Sequence, residues 1–345
     1  MLAAILDEGK LSVKEVSKPS PGYEEALVKL TTAGVCHSDL HLVKGEWGQF
    51  RRPGGIPIGH EGIGVVEELG PGAEKVVKKG DRVIMGLGGM GGGYWCGACE
   101  YCLSGRPRLC REARPLSGTY AEYISVWAKA LVKLPDQVSD SEVSLACGGL
   151  TSYSAVKKLI TFNVMPNKVV AIIGAAGGVG HYAVQIAKEF GYKVVGVDIG
   201  NERLEFVKAL GADYVVDANK ALQFVREKLG GINASIVFTP KLAGFELGMG
   251  LLKRGGIFIA VGLPPISEGS IPVMPFDMLS RDLLIMSSAV GTVQEMRELI
   301  QLAADGKVKT HISRTASLSE AAQVLEELDQ GRYTGRAILK CICTD

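Results

Sequence analysis

A glycine-rich turn, Gly174-Ala-Ala-Gly-Gly-Val-Gly180, separates an apolar run from a stretch with helical periodicity. The run Val169 to Ile173 has the length and the β-branched composition of a buried strand. A second such run, Val194 to Val197, follows the helical stretch. The apolar residues that recur at helical spacing between them are Val179, Ala183, Ile186, Ala187 and Phe190. This order predicts a strand–helix–strand unit, whose two strands must be parallel.

The same alternation continues to residue 261. A helix is predicted around Leu204, Val207 and Leu210, and three further strands are predicted at Tyr214 to Val216, Ser235 to Phe238 and Ile257 to Val261. Repeated units of this kind build a parallel, doubly wound sheet with helices on both faces.

The flanking segments have a different texture. Short β-rich runs separated by Gly and Pro clusters occupy the first 150 residues, and a helix, a capping box and a strand are predicted beyond residue 290. These elements are Ala26 to Thr31, Gly62 to Glu67, Asp81 to Met85, Val293 to Ala304, Ser317 with Glu320, a helix around Val324, Leu325 and Leu328, and Ala337 to Leu339. A chain of 345 residues with this change of texture is expected to form two domains.

The charge balance argues against two classes of partner. The chain has 38 basic and 37 acidic side chains, so its net charge of +1 would gather neither nucleic acid nor an anionic membrane. The uncharged run Val169 to Ala187 approaches the about 20 residues of a membrane span, but its glycines favour the strand–turn–helix interpretation. The apolar run Leu2 to Leu6 lacks the basic flank of a secretory signal. A cytoplasmic protein is expected.

The glycine-rich turn is typical of a dinucleotide site, although Ala175 stands where the strict G-x-G-x-x-G pattern has its first glycine. Glycines let the backbone approach a pyrophosphate, and the helix N-terminus supplies unpaired amides. Asp198 follows about 20 residues later, where a carboxylate can bind the adenosine ribose, which favours NAD over NADP. Two alternatives remain: Asp198 could cap the next helix, and Arg203 could tolerate a 2′-phosphate.

Four cysteines follow the pattern C-x2-C-x2-C-x7-C, and these are Cys96, Cys99, Cys102 and Cys110. Four thiolates at this spacing can surround one tetrahedral Zn²⁺ in a closed, structural site. Free thiols, disulfides and an iron–sulfur cluster are the alternatives.

Three more candidate ligands are dispersed: Cys36 in Cys-His-Ser-Asp-Leu-His, His60 in Gly-His-Glu-Gly, and Cys147 in Ala-Cys-Gly-Gly-Leu-Thr. Separately, each is more often a small buried hydrophobe or an ordinary polar residue. Together they supply the Cys₂His set of a catalytic zinc, which keeps a fourth position open for water or substrate.

The order and spacing of these motifs resemble the zinc-dependent medium-chain alcohol dehydrogenases, in particular their microbial branch. The resemblance implies a GroES-like, β-rich catalytic domain at residues 1–150, completed by 290–345, and a Rossmann NAD-binding domain at 151–289. It also implies NAD, two Zn²⁺ per chain, a small alcohol, aldehyde or ketone as substrate, and a homodimer or homotetramer.

The resemblance assigns roles to single residues. Cys36, His60 and Cys147 match the catalytic zinc ligands, Glu61 a neighbouring or alternate ligand, and Asp39 the group that orients His60. Ser38 matches the hydroxyl that takes the alcohol proton, and His41 the base that passes it to solvent through the nicotinamide ribose. The residues that match cofactor contacts are His37, Thr151, Gly174, Gly177, Gly178, Val179, Asp198, Arg203, Thr239, Val261 and Arg336.

Other residues are less informative. Trp47 matches an aromatic residue that narrows the substrate pocket, Trp95 is a second candidate for it, and the loop after Cys110 looks short for the family. His181 and His311 match no family motif and are interpreted as ordinary surface or helix residues. No role is assigned to the tail with Cys341 and Cys343.

The rival hypotheses are a zinc-containing polyol or aryl-alcohol dehydrogenase, a zinc-free quinone reductase and a noncatalytic dinucleotide-binding relative. The candidate zinc ligands argue against the zinc-free enzyme, and the retained Ser38 and His41 argue against the noncatalytic one.

Overall fold

The computed structural model describes residues 1–46, 55–86 and 92–342. The chain divides into two compact units, one formed by Met1–Leu150 with Val290–Asp345 and the other by Thr151–Ala289. In the described part, no helix is long and apolar enough to cross a membrane.

The second unit contains a six-stranded, wholly parallel sheet. Its strands are β9 (Val169–Ile173), β10 (Lys193–Asp198), β11 (Tyr214–Asp217), β12 (Ile232–Val237), β13 (Leu252–Ala260) and β14 (Leu284–Ser287). Its helices are α4 (Gly180–Glu189), α5 (Asn201–Ala209), α6 (Ala218–Phe224), α7 (Leu242–Leu251) and α8 (Pro275–Arg281), and α3 (Gly148–Thr161) begins just before it. The strand order is β11-β10-β9-β12-β13-β14. The chain adds strands outward on one side from β9 to β11 and then outward on the other side from β12 to β14, so the order of addition switches sides between β9 and β12. Ligands bind at such a switch point, beyond the carboxyl ends of the strands.

The central strands explain why this sheet forms. Every residue of β9 after Val169 is buried, and so is every residue of β10 after Lys193. Strands covered on both faces have continuous β-branched runs and no polar alternation. Phe245 of α7 and Phe258 of β13 pack in the same apolar cluster, with 6.3 Å between their ring centroids.

The first unit is β-rich. Its strands are β1 (Leu2–Asp7), β2 (Lys10–Glu15), β3 (Glu25–Val35), β4 (Ile56–Pro57), β5 (Gly62–Leu69), β6 (Arg82–Met85), β7 (Tyr123–Trp127), β8 (Val132–Lys133), β15 (Ile312–Ser317) and β16 (Arg336–Lys340). Its helices are α1 (His37–Lys44), α2 (Glu100–Leu103), α9 (Val293–Ala304) and α10 (Ala321–Asp329), with a 3₁₀ helix at Asp140–Ala146. The larger sheet has the order β15-β16-β3-β5-β6-β8, and β7 also pairs with β3. The C-terminal strands β15 and β16 therefore complete a sheet built by the first 133 residues.

Several local signals are confirmed and others are corrected. The predicted helix Val293–Ala304 is α9, and Ser317 and Glu320 form the predicted capping box. That box first opens a 3₁₀ turn at Leu318–Glu320, from which α10 continues. The strand predicted at Ser235 begins earlier, at Ile232, because Ile232 pairs with Leu252 across a register shift that the local sequence does not reveal.

Candidate active site

One cluster of metal-binding side chains lies in the first unit. Its members are Cys36, His60, Glu61 and Cys147, each offering a ligand atom within 4.8 Å of the others, and all are buried except the half-buried Cys147. Cys36 follows β3, the His60–Glu61 pair precedes β5, and Cys147 ends the 3₁₀ helix. Because β3 and β5 pair side by side, ligands more than 20 residues apart in sequence are brought together.

A chain of buried hydrogen bonds fixes the ring of His60. Asp39 Oδ1 lies 2.9 Å from His60 Nδ1, and the Tyr120 hydroxyl donates to Asp39 Oδ2 at 2.9 Å. Burial alone would lower the pKa of His60, but the Asp39 carboxylate raises it well above 6.5. Since Nδ1 bonds to Asp39, Nε2 is the nitrogen left for a metal.

The electrostatics of the cluster fit a cation. A hydrogen bond from the Cys147 thiol lowers the pKa of Cys36 well below its ordinary 9.0, and His60 lowers it further. Burial raises the pKa of Glu61, and the guanidinium of Arg336, which donates to both of its oxygens, opposes that rise. A thiolate beside a buried imidazole is a donor set that Zn²⁺ prefers.

The position of the Glu61 carboxylate requires a glycine at position 34. A Cβ on Gly34 would lie 2.0 Å from Glu61 Oε2, so only glycine at position 34 leaves room for this carboxylate.

Helix α1 carries the residues next to Cys36. His37 is exposed, Ser38 is half-buried and His41 is buried. His41 Nδ1 lies 2.5 Å from Oε2 of Glu46, which follows the end of the helix.

The cysteine quartet forms the second cluster, with the four sulfur atoms within 4.8 Å of one another. The Cys99 and Cys102 sulfurs are 3.6 Å apart, and the seven described cysteines form no disulfide, which argues against that alternative. Hydrogen bonds from the Cys102 backbone lower the pKa of Cys99 to about 6. Backbone amides of Cys96 and Glu112 donate to Cys110 Sγ at 3.3 and 3.4 Å. Amide donors favour thiolates over thiols, so this cluster also fits a metal.

In the second unit, the glycine-rich turn leaves the end of β9. Gly174 has φ +80°, and a Cβ on Gly180 would lie 2.0 Å from the Gly174 carbonyl oxygen. Both positions therefore require glycine. The turn is tied to the end of β10, because the Ala176 amide donates to Asp198 Oδ2 at 2.8 Å.

Among the described residues, three groups hold Asp198. Its carboxylate also accepts hydrogen bonds from the Ile199 amide and from Arg203 Nε, at 2.9 and 2.7 Å. It does not cap α5, since Gly200 occupies the N-cap position, so the capping alternative is wrong. Arg203 pairs with Asp198 in this structure.

The remaining predicted cofactor residues of this unit, near the switch point, are Thr151, Thr239 and Val261. A Cβ on Gly174 would lie 3.0 Å from the Thr239 amide nitrogen, and one on Gly262, next to Val261, would lie 2.2 Å from the Thr239 carbonyl oxygen. Ser152, adjacent to Thr151, donates to the Val179 carbonyl at 2.8 Å.

Comparison with known proteins bears on both units. Residues 22–136 match the family model of the alcohol dehydrogenase GroES-like domain, and residues 178–305 match that of the zinc-binding dehydrogenases. An alcohol dehydrogenase of Geobacillus stearothermophilus is 42% identical to this chain, over 99% of both chains. The chain belongs to the zinc-type medium-chain alcohol dehydrogenase family.

Solved members of the family have the same fold. The alcohol dehydrogenase from the hyperthermophilic archaeon Aeropyrum pernix has a TM-score of 0.88 at 33% identity, covering 99% of this chain and 100% of that one. An NAD-dependent alcohol dehydrogenase has a TM-score of 0.88 at 29% identity, covering 99% of each chain. The predicted family and the predicted fold class, a GroES-like domain with a Rossmann domain, are confirmed.

Some predicted residues are not brought to either cluster. Trp47 and Cys343 lie outside the described residues. The Trp95 ring packs edge-on against Trp127 at 4.7 Å. Cys341 is buried, with its sulfur 3.7 Å from the Thr119 carbonyl oxygen.

The two unassigned histidines differ. His311 is exposed, as the surface interpretation predicts, and His181 lies in α4, as the helix interpretation predicts. His181 is fully buried. Its ring packs on Tyr182 at 3.9 Å, and its Nδ1 lies 3.2 Å from the Gly177 carbonyl oxygen.

Sequence reasoning missed three contacts: Tyr120 on Asp39, Glu46 on His41, and Arg336 on Glu61, where a pyrophosphate contact was predicted. Only the second joins residues close in sequence. A carboxylate five positions after a histidine, across a helix-ending glycine, was its one local signal.

Proposed function

We propose that this family member oxidises primary or secondary alcohols to aldehydes or ketones, reversibly, with NAD as the hydride acceptor. The observation that carries the proposal is the cluster of Cys36, His60 and Cys147. These three side chains can hold a metal and leave a fourth position open, because Glu61 is engaged by Arg336. A site with four protein ligands would have no place for a substrate oxygen.

We propose two Zn²⁺ per chain, one at this cluster and one at the cysteine quartet. At the open cluster, zinc would supply a Lewis acid that polarises the substrate oxygen. His60 would bind through Nε2, with its ring held by Asp39. At the quartet, four protein ligands favour a structural role.

The proton of the alcohol requires an acceptor. The Ser38 hydroxyl, two residues from Cys36, would take it, and the imidazole of His41 would receive it for release to solvent. The half-buried position of Ser38 and the contact of His41 with a carboxylate support this assignment.

NAD is proposed to bind the second unit, with its pyrophosphate at residues Gly174, Gly177, Gly178 and Val179 and its adenosine ribose at Asp198. A Cβ on Gly180 would lie 2.0 Å from the Gly174 carbonyl oxygen, and this tight turn supports close approach of a pyrophosphate to the backbone. Arg203 neutralises part of the Asp198 charge, so NADP would be accepted more weakly rather than excluded.

His37 and Arg336 remain candidates for contacts with the cofactor pyrophosphate, and Thr151, Thr239 and Val261 for contacts near the nicotinamide. The proximity of Thr239 to Gly174 supports the latter group.

A homodimer or homotetramer is proposed from the surface of the second unit. Strand β14 is the edge of the six-stranded sheet, and α8 before it exposes Phe276 by 76% and Leu279 by 83%. Unprotected edges and exposed large apolar groups mark interaction surfaces. Sedimentation of the purified chain as a monomer at micromolar concentration would contradict this assignment.

The function is tested with a panel of aliphatic, aryl and polyol substrates and both nicotinamide cofactors, followed by NADH or NADPH absorbance. We expect turnover of simple alcohols, faster with NAD. A marked preference for polyols or aryl alcohols would favour the related dehydrogenases, and no turnover by metal-loaded protein would favour the noncatalytic alternative. Elemental analysis of the same preparation checks the metal count, and one zinc or none would contradict the two-site proposal.

A further inference from the structure

The end of helix α1 places a carboxylate on the imidazole of His41. Gly45 takes the left-handed conformation, φ +66°, and ends the helix. The chain then turns back, and the Glu46 amide donates to the His41 carbonyl oxygen at 3.1 Å. A left-handed residue at this position costs a glycine nothing, so the turn is built into the sequence.

The side chain of Glu46 also lies against helix α1. Its Oε2 lies 2.5 Å from His41 Nδ1, while Oε1 lies 3.9 Å from Lys44 Nζ. Lys44 itself donates to Asp329 of α10 at 2.5 Å. Among the described residues, Glu46 thus contacts the His41 ring, Lys44 lies beside Glu46, and the His37 ring lies 6.2 Å from that of His41.

The two sides of this contact differ in exposure. The His41 side chain is 9% exposed and that of Glu46 is 30% exposed. The carboxylate thus bridges a buried ring and solvent. A carboxylate that accepts from one ring nitrogen fixes the tautomer and the rotation of an imidazole.

We propose that Glu46 is a positioning residue of the proton relay: it accepts a hydrogen bond from Nδ1–H of His41 and so keeps Nε2 as the atom that receives the proton passed on by Ser38. This inference rests on the proposed function of His41. In the relay, the alcohol O–H bond breaks as a new O–H bond forms at Ser38, the original Ser38 O–H bond breaks, and an N–H bond forms at His41 Nε2, which leaves an imidazolium whose Nδ1–H faces the Glu46 carboxylate. No electrons are exchanged in the step, and the proton then leaves to solvent.

The role predicts a split between kinetic constants. Glu46→Ala removes the acceptor, so kcat for alcohol oxidation should fall by about 10-fold, near the low end of general-base contributions, with little change in KM. Glu46→Gln keeps an amide oxygen that can accept the same hydrogen bond, and should recover most of the loss. The matched control is Asp329→Ala, which removes the ion pair with Lys44 on the same surface and should leave kcat unchanged.

A spectroscopic readout separates this inference from the proposed function. In protein with ¹⁵N-labelled histidine, His41 should have a protonated Nδ1 and an unprotonated Nε2 in the wild type and in Glu46→Gln, and a mixture of tautomers in Glu46→Ala. Wild-type kcat in Glu46→Ala, equal losses in the Ala and Gln variants, or an unchanged tautomer in Glu46→Ala would each overturn the inference. Absence of turnover in the wild type would instead refute the proposed function, and the tautomer would still test the contact.

Discussion

Removal of one buried hydroxyl tests whether the hydrogen bonds behind His60 hold the metal. In Tyr120→Phe the ring stays, and the donor to Asp39 Oδ2 disappears. The matched control is Tyr192→Phe, because Tyr192 is also fully buried and donates a hydrogen bond, of 2.8 Å, to the Val164 carbonyl oxygen. The two substitutions delete the same atom, but only one of them weakens a partner of a proposed ligand.

The geometry sets the expected magnitudes. A hydrogen bond to a charged group contributes about 1.5–3 kcal/mol and one to a neutral carbonyl about 0.5–1.5 kcal/mol, so both variants should unfold at lower denaturant concentration. Removing a group that hydrogen-bonds to a metal ligand typically lowers metal affinity by about 10- to 100-fold. Tyr120 acts one hydrogen bond further away, through Asp39, so an effect near 10-fold is expected.

The assay is the release of zinc to a chromogenic chelator from folded protein. Tyr120→Phe should release one of the two proposed zinc ions faster, while the one proposed for the cysteine quartet keeps its wild-type rate. Tyr192→Phe should leave both rates unchanged. Equal release from the two variants would refute the argument, because the effect would then be general destabilisation.

Three further outcomes are expected. Cys36→Ser should abolish turnover with the fold retained, whereas Cys99→Ser should mainly lower the thermal midpoint, and the reverse pattern in paired activity and melting assays would mean that the two sites are exchanged. Asp198→Gly should reduce the ratio of kcat/KM with NAD to that with NADP, and a higher wild-type kcat/KM with NADPH would contradict the ribose assignment. Hydrogen bonds from the backbone and hydroxyl of Ser317 lower the pKa of Glu320 from 4.5 to about 2. The stabilisation that the ionised Glu320 gives the folded protein is therefore complete above pH 4.5 and is lost as the pH falls towards 2. The stability gap between wild type and Glu320→Gln in urea unfolding should therefore be constant from pH 7 to about pH 5 and narrow as the pH is lowered further to 3, and a constant gap down to pH 3 would rule out this contribution.

The local sequence was sufficient to predict an element when the residues of that element alone carry the signal. The turn at Gly174 and helix α9 have such signals, namely glycines where a Cβ cannot fit and a regular apolar spacing. Strand β12 was placed three residues late, because its start depends on pairing with Leu252 in a strand that follows an entire helix.

The same distinction applies to the candidate site. The ligands could be identified because cysteine and histidine at family spacing are chemically distinctive. Tyr120 and Asp39 are 81 positions apart, and Glu61 and Arg336 are 275 apart, so no periodicity joins them. The burial of His181 likewise depends on packing. A lone polar residue is expected on the exposed side of a helix, but the side of α4 that carries His181 is buried.

The central claim is direct hydride transfer from an alcohol to NAD at the Cys36–His60–Cys147 cluster. It is tested most directly with an alcohol deuterated at its carbinol carbon, followed by mass spectrometry of the NADH formed by the wild type and by His60→Ala. We expect deuterium in the NADH from the wild type, and none above background from His60→Ala that retains the zinc of the quartet. NADH without deuterium, or equal labelled NADH from both proteins, would contradict the claim.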